Sequence, residues 1–386
     1  MTDPTPPGRP SPPPSPAAAP SPAGVPSPAA APSQAGAPSQ AAAPSPAAVP
    51  SPAEASRPSP AFRHPLVSRV AAIDCGTNSL RLLVADVGNG RLTDVVRRME
   101  IVRLGQGVDR TGRLAPEALD RTTAVLRDYA DIVAEAGASR VKMVATSATR
   151  DADNSAEFVR RVKEVLGLVP EVLTGDAEAQ LSFTGATAEL ARPDGDDGPY
   201  LVTDIGGGST EFVVGSAAVL PARSETAVQA ISVDIGCVRM TERHLHSDPP
   251  AGHEVAAAVA DIDAALDVVA AAVPVREART LVGLAGSVTT VAAIAMNLSA
   301  YDAERIHHAR VSAEDVQMVT AELLGQTRAQ RAAIGVMHPG RVDVIGGGAL
   351  ILDRIMRRFG FGEVLVSEHD ILDGIAWSLG KAHSDR

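Results

Sequence analysis

The sequence predicts an α/β protein in which one strand–loop–strand unit occurs twice. The first loop is Asp74-Cys75-Gly76-Thr77-Asn78-Ser79, and the second is Asp204-Ile205-Gly206-Gly207-Gly208-Ser209-Thr210. Each loop follows one apolar strand pattern, precedes another, and is succeeded along the chain by helical patterns. This repetition indicates two α/β domains of related architecture, whose glycine loops face each other across a cleft.

An N-terminal segment differs in composition from the rest of the chain. Residues 1–60 hold 20 of the 30 prolines, and a serine recurs every sixth residue from Ser15 to Ser51. Such a composition lacks the apolar side chains that would offset the entropy of ordering. We therefore predict a disordered Pro/Ala/Ser-rich tail over residues 1–64, with a semi-rigid polyproline II spacer as the alternative.

The first domain is predicted over residues 65–195, with the element order βββαβαβα. Pro116 suits the first turn of a long helix, Gly137 suits its end, and Gly88-Asn89-Gly90 suits a hairpin turn. The predicted strands are 70–73, 80–87, 92–101, 141–145 and 171–173, and the predicted helices are 116–136, 155–166 and 176–190.

The pattern restarts after a turn-rich linker at residues 192–199, so the second domain is predicted over 196–369. A last helix, 370–383, could dock back on the first domain. Predicted strands are 201–205, 211–215, 230–233 and 281–284, and the last of these runs into Ala285-Gly286-Ser287 and another helix. The other predicted helices are 252–272 and roughly 312–358, interrupted at Gly325, Pro339 and Gly346–Gly348.

The two loops have the chemistry of a phosphate clamp. Glycines let backbone N–H groups turn toward an anion, and Thr77, Ser79, Ser209 and Thr210 add hydroxyl donors. Aspartates cannot bind phosphate directly, but they can hold Mg²⁺ or its waters. Two such loops would bind a phosphate chain together with its metal.

Bulk properties narrow the class of partner and the compartment. The formal net charge of −11 argues against non-specific binding to nucleic acid or to an anionic membrane. The sequence has no bilayer-spanning apolar run and no charged-then-apolar leader. Cys75 and Cys237 are the only cysteines and form no disulfide framework, which favours a cytoplasmic location.

The motifs, taken in order, resemble the acetate kinase/heat-shock-70/hexokinase/actin superfold, and in detail the Ppx/GppA family of exopolyphosphatases and guanosine pentaphosphatases. The chain is most similar to the short, two-domain actinobacterial-type members. The resemblance implies two duplicated actin-like, ribonuclease-H-like (ASKHA) domains with an interdomain cleft. Its carriers are residues 72–79, 145–150, 174–179, 204–211 and 234–239.

Residue roles follow from that resemblance. Glu178 matches the catalytic base, Glu211 is a further carboxylate near the water, and Arg150, expected at the end of a strand, binds phosphate. Asp204 is the first choice as ligand of Mg²⁺, or of another divalent cation such as Mn²⁺, and Asp74 is the second. The remaining implied phosphate-binding residues are Gly76, Thr77, Asn78, Ser79, Gly206, Gly207, Gly208, Ser209 and Thr210.

Other positions are left open by the sequence. Ala177 replaces an acid that relatives often carry before the base, and Arg103 suits either a phosphate site or a solvated edge. Arg239 and Arg243 could extend a basic track, a row of positive side chains that would bind the distal phosphates of the substrate, although a solvated helix face also explains Arg243. The spacing of His307, His308, His338 and His369 with Asp370 indicates no metal site, and Gly346–Gly348 suits close helix packing.

The expected activity is Mg²⁺-dependent release of orthophosphate from the ends of inorganic polyphosphate. Hydrolysis of guanosine pentaphosphate (pppGpp) is the nearest alternative, because it presents a similar terminal phosphoanhydride to the same loops. A kinase of the same superfold, or a non-catalytic alarmone or polyphosphate sensor, are more distant alternatives. The resemblance also suggests a homodimer.

Overall fold

The computed structural model describes residues 67–190, 198–216 and 228–381, so the predicted tail and most of the predicted linker lie outside the described residues. The described strands are β1 (Ser68–Cys75), β2 (Ser79–Gly88), β3 (Arg91–Ile101), β4 (Arg140–Ala145), β5 (Glu171–Val172), β6 (Tyr200–Ile205), β7 (Thr210–Gly215), β8 (Gln229–Val233), β9 (Thr280–Leu284), β10 (Arg310–Ser312) and β11 (Glu363–Val366). The described α-helices are α1 (Val108–Thr111), α2 (Pro116–Ala136), α3 (Ser147–Arg150), α4 (Ser155–Leu166), α5 (Gly175–Thr187), α6 (Cys237–His244), α7 (Gly252–Ala272), α8 (Ala285–Ala295), α9 (Ala303–Ile306), α10 (Ala313–Gly325), α11 (Arg328–Ala332), α12 (Ile345–Phe359) and α13 (Ile371–Lys381).

The strands form two mixed sheets with the same core topology. The first sheet has the order β3-β2-β1-β4-β5, and the second has the order β8-β7-β6-β9-β11 with β10 added at its edge. In both sheets the first three strands in this order are antiparallel neighbours, and the next two add in parallel. Strand β10 pairs antiparallel with β11 at the edge of the second sheet. The duplicated unit seen in the sequence is therefore a duplicated sheet.

Local signals place the long helices where they were predicted. Helix α2 begins with Pro116 and ends before Gly137, whose φ of 67° is a left-handed conformation that favours glycine. The N-terminus of α5 is capped by Thr174, whose hydroxyl accepts a hydrogen bond from Ala177 N–H at 3.3 Å. Among the described residues, no helix is long and apolar enough to cross a bilayer.

Helices α5 and α13 each pack on the sheet other than the one that they follow in the chain. Helix α5 follows the first sheet in the chain, yet its Ala179, Phe183 and Ala186 pack in a hydrophobic cluster with the second sheet. Helix α13 follows the second sheet, yet its apolar side chains, including Ile375, pack on strands β1 and β2 of the first. The two helices also pack against each other.

Glycines allow this helix pair to approach to backbone contact. A Cβ on Gly374 of α13 would lie 2.0 Å from the carbonyl oxygen of Leu181 in α5. A Cβ on Gly185 of α5 would lie 1.8 Å from the carbonyl oxygen of Asp370, just before α13. No side chain fits at either position without moving a helix.

Two expectations about the second half differ from the structure. The glycines Gly346–Gly348 do not interrupt a helix, because they form the buried first turn of α12. There they allow close packing, since a Cβ on Gly348 would lie 2.2 Å from Ser287 Oγ of α8. Strands β10 and β11 were not predicted, and their three and four residues give too short a pattern to recognise.

Candidate active site

The two glycine loops adopt the same turn. Gly76 N–H donates to the carbonyl oxygen of Ser79 at 2.9 Å, and Gly206 N–H donates to that of Ser209 at 3.1 Å. In each case the turn joins two antiparallel strands, β1 to β2 and β6 to β7. The sequence similarity of the loops is thus also a similarity of backbone geometry.

The loops face each other at van der Waals distance. Thr77 Oγ1 and Ser147 Oγ are 2.9 Å apart and hydrogen-bonded, and both lie against the second loop. A Cβ on Gly208 would lie 2.7 Å from Ser147 Oγ and 2.9 Å from Thr77 Oγ1. Only glycine lets the loops come this close without displacing these hydroxyls.

An open cleft lies beside the facing loops. The predicted site residues in its wall are Asp74, Gly76, Thr77, Asn78, Ser79, Glu178, Asp204 and Gly207. The other predicted residues lie behind this wall or beside it: Arg103, Arg150, Gly206, Gly208, Ser209, Thr210 and Glu211. Of these, Ser209 and Thr210 direct their hydroxyls to Glu211 and to the carbonyl oxygen of Ile235, rather than into the cleft.

Strand register places a different residue opposite each loop aspartate. Asp74 pairs across the hairpin with Arg81, whereas Asp204 pairs across the equivalent hairpin with Glu211. Arg81 donates from Nε and Nη2 to Asp74 Oδ2 at 3.0 and 2.6 Å, and it also binds Asp370. The duplicated positions therefore hold a neutralised carboxylate in one sheet and two adjacent carboxylates in the other.

Glu211 is a buried carboxyl group with an incomplete set of partners. Its Oε1 accepts hydrogen bonds from Ser209 Oγ and Ser232 Oγ, both at 2.7 Å. Its Oε2 is buried and has no hydrogen-bond partner among the described residues. Burial, reinforced by the charge of Asp204, raises the pKa of Glu211 to about 8.

The two aspartates are perturbed in the same direction. Burial and the charge of Asp370 raise the pKa of Asp204 to about 6, although Arg81 and a 2.7 Å hydrogen bond from Ser182 Oγ oppose the change. Burial also raises the pKa of Asp74, and its Oδ1 has no hydrogen-bond partner in the described structure. Buried acceptors without donors are suited to a cation.

Glu178 lies in the first turn of α5 and is 7% exposed. Its Oε2 accepts a hydrogen bond from Arg150 Nη1 at 3.2 Å. Burial, together with the charges of Glu211, Asp204 and Asp74, raises its pKa well above the ordinary glutamate value, and Arg150 partly opposes this. A carboxyl group perturbed by burial and by neighbouring charges in a cleft has the character of an acid–base residue.

The arginines predicted at the site have varied positions. Arg150 lies on the short helix α3, one turn beyond strand β4, and not at the strand end; from there it donates to Glu178 and to the carbonyl oxygen of Leu173. Arg103 has a positive φ of 50° and pairs with Asp343 at 3.0 Å, outside the cleft wall. Neither placement tests a role in binding phosphate.

The basic track considered for Arg239 and Arg243 is neutralised by acidic partners. Arg239 donates to Asp109 and to Asp151 at 2.7 Å, and Arg243 donates to Asp109 and to Asp261 at 2.7 Å. Arg239 Nε also donates to the carbonyl oxygen of Gly208 at 2.6 Å. These arginines fasten the second loop and helix α6 to the first half of the protein.

Two residues of the cleft wall, Arg81 and Arg341, were missed in the sequence. The start of α8 also lies in this wall, and Ala285 has a φ of 71° there. A helix was predicted to follow Ala285-Gly286-Ser287, but it was not assigned to the site; Ala285 follows β9 as α3 follows β4, so the internal repeat could have indicated its position. No local pattern marks Arg341, which forms no ion pair among the described residues and donates to Thr290 Oγ1 at 3.1 Å.

The duplicated fold and its cleft have clear relatives. The profile of the Ppx/GppA phosphatase family matches residues 83–383. The chain belongs to the Ppx/GppA phosphatase family. Within it, Exopolyphosphatase 2 of Mycobacterium tuberculosis is 51% identical over 326 residues, which cover 81% of this chain and 99% of that protein.

Solved structures in the Ppx/GppA family have the same fold. One crystal structure of an exopolyphosphatase-like protein matches with a TM-score of 0.77 and 42% identity, covering 82% of this chain and 98% of that one. The Aquifex aeolicus PPX-GPPA enzyme matches with a TM-score of 0.66 and 32% identity, covering 81% and 100%. The predicted two-domain, actin-like α/β fold is confirmed.

Proposed function

We propose that this Ppx/GppA member is an exopolyphosphatase that hydrolyses the terminal phosphoanhydride bond of inorganic polyphosphate and releases orthophosphate. The observation that carries the proposal is the position of Glu178. This buried carboxylate with a raised pKa lies in the wall of the cleft beside two facing glycine loops. Phosphoryl transfer to water mainly requires positioning, charge neutralisation and an oriented nucleophile.

The loops would hold the terminal phosphates. Residues Gly76–Ser79 and Gly207 line the cleft with backbone and hydroxyl groups suited to anions. Arg341 and Arg81 lie in the same wall and supply positive charge near the phosphates, although Arg81 is already shared between Asp74 and Asp370. Arg341 is therefore the arginine more available to a substrate.

The acidic side of the cleft fits a divalent cation. Asp204 and Glu211 are adjacent buried carboxyl groups across the hairpin, and Asp74 has one buried oxygen that no donor in the described structure contacts. Oxygen ligands of this kind suit Mg²⁺ or Mn²⁺, with Asp204 as the principal ligand and Asp74 as the second. When bound, the ion would neutralise charge on the phosphate oxygens.

Glu178 would accept a proton from the attacking water. A base must be close to the reacting water, and burial together with the neighbouring carboxylates raises the pKa of Glu178, which makes its carboxylate a stronger base. Arg150 holds one Glu178 oxygen at 3.2 Å and leaves the other to water. Ala177, at the position where relatives often have an acid, instead packs partly buried against the cluster around α13.

The activity is tested by incubating the protein with Mg²⁺ and polyphosphate, pppGpp, or ATP with candidate acceptors. Release of orthophosphate from polyphosphate is the expected result. No release from either polyphosphate or pppGpp would refute the hydrolase proposal, and transfer from ATP to an acceptor would favour a kinase. Tight binding without turnover would indicate a sensor.

The base is tested with Glu178→Gln, which keeps the shape of the side chain but cannot take up the proton. Turnover should fall at least ~100-fold while polyphosphate still binds. Asp176→Asn is a matched control, because Asp176 is an exposed acid in the same helical turn. Equal turnover of wild type and Glu178→Gln would move the base elsewhere, with Glu211 as the next candidate.

Hydrolysis of pppGpp is the second candidate, and one cavity favours it. An open space of about 530 Å³ adjoins the cleft and shares Arg81 and Arg341 with it. Its wall includes Met99, Tyr301 and Met337, which are suited to an apolar, planar base. Comparing kcat/KM for the two substrates in Tyr301→Ala tests this: a selective loss for pppGpp would support it, and an equal effect would exclude a nucleoside role for the cavity.

We further propose that the active protein is a cytoplasmic homodimer. The support is the family resemblance, together with a pair of free cysteines that are both buried. Light scattering after size-exclusion chromatography tests the oligomeric state, and a monomeric mass at the concentration used for activity measurements would refute the proposed homodimer.

A further inference from the structure

A second cluster of metal-type ligands lies outside the cleft. Glu189 follows the end of helix α5, His307 follows α9, and His369 precedes α13. Glu189 Oε2 is 3.4 Å from His307 Nε2 and 3.6 Å from His369 Nδ1. All three ligand atoms lie within 4.8 Å of one another, although the sequence separates the residues widely.

Two of these distances match the edge of a small tetrahedron. A Zn²⁺ ion with tetrahedral ligands at 2.0–2.1 Å separates them by about 3.4 Å. Both carboxylate–imidazole separations are close to that value, and His307 Nε2 and His369 Nδ1 lie within 4.8 Å of each other, so all three atoms are near enough to share one ion.

We propose that Glu189, His307 and His369 bind a divalent transition-metal ion of the Zn²⁺ or Co²⁺ type, with water completing the coordination. Two imidazoles and one carboxylate are a known ligand set for zinc with an open fourth position. The set differs in kind from the oxygen-only carboxylates of the cleft, which suit Mg²⁺. The protein would therefore carry two chemically distinct metal sites.

Packing of the imidazole rings preorganises the site. The His307 ring stacks on that of His308 with centroids 3.8 Å apart, and it lies 4.5 Å from the His369 ring. The side chains of His307 and His369 are 20% and 27% exposed, so both are partly ordered by their neighbours yet open to an ion from solvent. The rings need little rearrangement to reach a shared ion.

Binding would change one hydrogen bond of His307. Its Nδ1 accepts from the backbone N–H of Glu368 at 3.1 Å, which leaves the proton of a neutral ring on Nε2. An ion at Nε2 displaces that proton, and the ring then holds its proton on Nδ1, which no longer accepts from Glu368. Metal binding is thus coupled to segment 367–370, where Glu368 accepts a hydrogen bond from Tyr301 at 2.5 Å.

The site would also link two elements of the cleft. Glu189 follows the helix whose first turn contains Glu178, and His369 is next to Asp370, which binds Arg81. An ion shared by Glu189 and His369 would fasten α5 to the segment before α13. The expected consequence is increased thermal stability with the metal bound.

The binding test uses the full chain without a polyhistidine tag, titrated with Co²⁺ in excess Mg²⁺ and followed by the visible absorption of Co²⁺. Wild type and His253→Ala, which removes an exposed histidine on α7, should bind one equivalent with tetrahedral-type absorption. His369→Ala should lose that equivalent. Equal Co²⁺ binding by wild type and His369→Ala, or no binding by either, would overturn the proposal.

A second measurement keeps the proposal independent of folding defects and of enzymatic activity. Zn²⁺ should raise the melting temperature of wild type, and Glu189→Gln should melt as wild type does without metal but should show no Zn²⁺-dependent rise. Glu189 is half-exposed, so this substitution is not expected to impair folding. An undiminished Zn²⁺ effect in Glu189→Gln would refute the assigned ligand set, whatever the substrate of the cleft.

Discussion

Replacing Glu211 with glutamine should make the metal-free protein more stable at alkaline pH. Glu211 is 1% exposed, and its two hydrogen-bond donors, Ser209 and Ser232, both contact a single oxygen. Ionisation places a buried charge beside Asp204, and the opposing influence of Arg150 on the pKa of Glu211 is smaller than that of burial and of Asp204. Glutamine keeps the acceptor oxygen for the two serines and removes the ionisation.

The size of the effect follows from linkage. The pKa of Glu211 is raised from an ordinary value of 4.5 to about 8 by folding. Its contribution to stability is fully present below pH 4.5 and is lost as the pH rises through 8, at about 1.4 kcal/mol per pH unit. Ionisation of Glu211 in wild type therefore lowers the free energy of unfolding by up to about 5 kcal/mol between pH 4.5 and pH 8. The Glu211→Gln variant should not show this loss of stability.

The assay is urea unfolding in the presence of a chelator, at several pH values between about 5 and 8. The wild-type midpoint should fall steeply across that range, whereas Glu211→Gln should fall less, with the remaining slope arising from Asp204 and Glu178. The exposed Glu277→Gln serves as a control that should follow wild type. Identical pH slopes in wild type and Glu211→Gln would show that Glu211 ionises normally and would refute the reasoning.

Three further changes test the site and its supports. Arg150→Ala should move the acidic limb of the pH profile of kcat/KM to higher pH, because Arg150 lowers the pKa of Glu178; an unmoved limb would contradict this. Gly208→Ala should lower the free energy of unfolding in urea by about 1–3 kcal/mol and reduce turnover, because its Cβ would push the facing loops apart. Gly252→Ala is the control: Gly252 has open space around it, so neither stability nor turnover should change. Gly374→Ala should cost at least ~2 kcal/mol, because a Cβ there meets a backbone carbonyl at 2.0 Å; a stability like that of wild type would show that the helices separate easily.

The parts of this fold that the sequence predicted are those encoded by local patterns. The paired aspartate–glycine hairpins, the long helix α2 and the strands β1, β2 and β4 all have strong apolar patterns bounded by glycine or proline. Repetition of the hairpin also predicted that two similar sheets would occur. The predicted roles of Glu178 and Arg150 remain predictions, although the structure places the two side chains in contact.

The parts that the sequence did not predict depend on long-range packing. Arg81 faces Asp74 only because of strand register, and Arg341 reaches the cleft from a loop with no recognisable motif. The exchange of α5 and α13 between sheets cannot be read from amphipathic patterns, which give a buried face but not its partner. Likewise, His307 and His369 are distant in sequence and meet only through the chain connections around β10 and β11.

The exchange of α5 and α13 has a consequence for biosynthesis. Helix α5 ends at Thr187, but α13, which packs on both α5 and the first sheet, begins only at Ile371. A nascent chain emerges from its N-terminal end at about 5–20 residues per second, so the first sheet remains without one of its helical covers while the second half is translated. The hydrophobic face of the first sheet on which Ile375 packs becomes covered only when α13 has been synthesised. Glu178 is then fixed late, so phosphate-cleaving competence should appear only after α13 has left the ribosome.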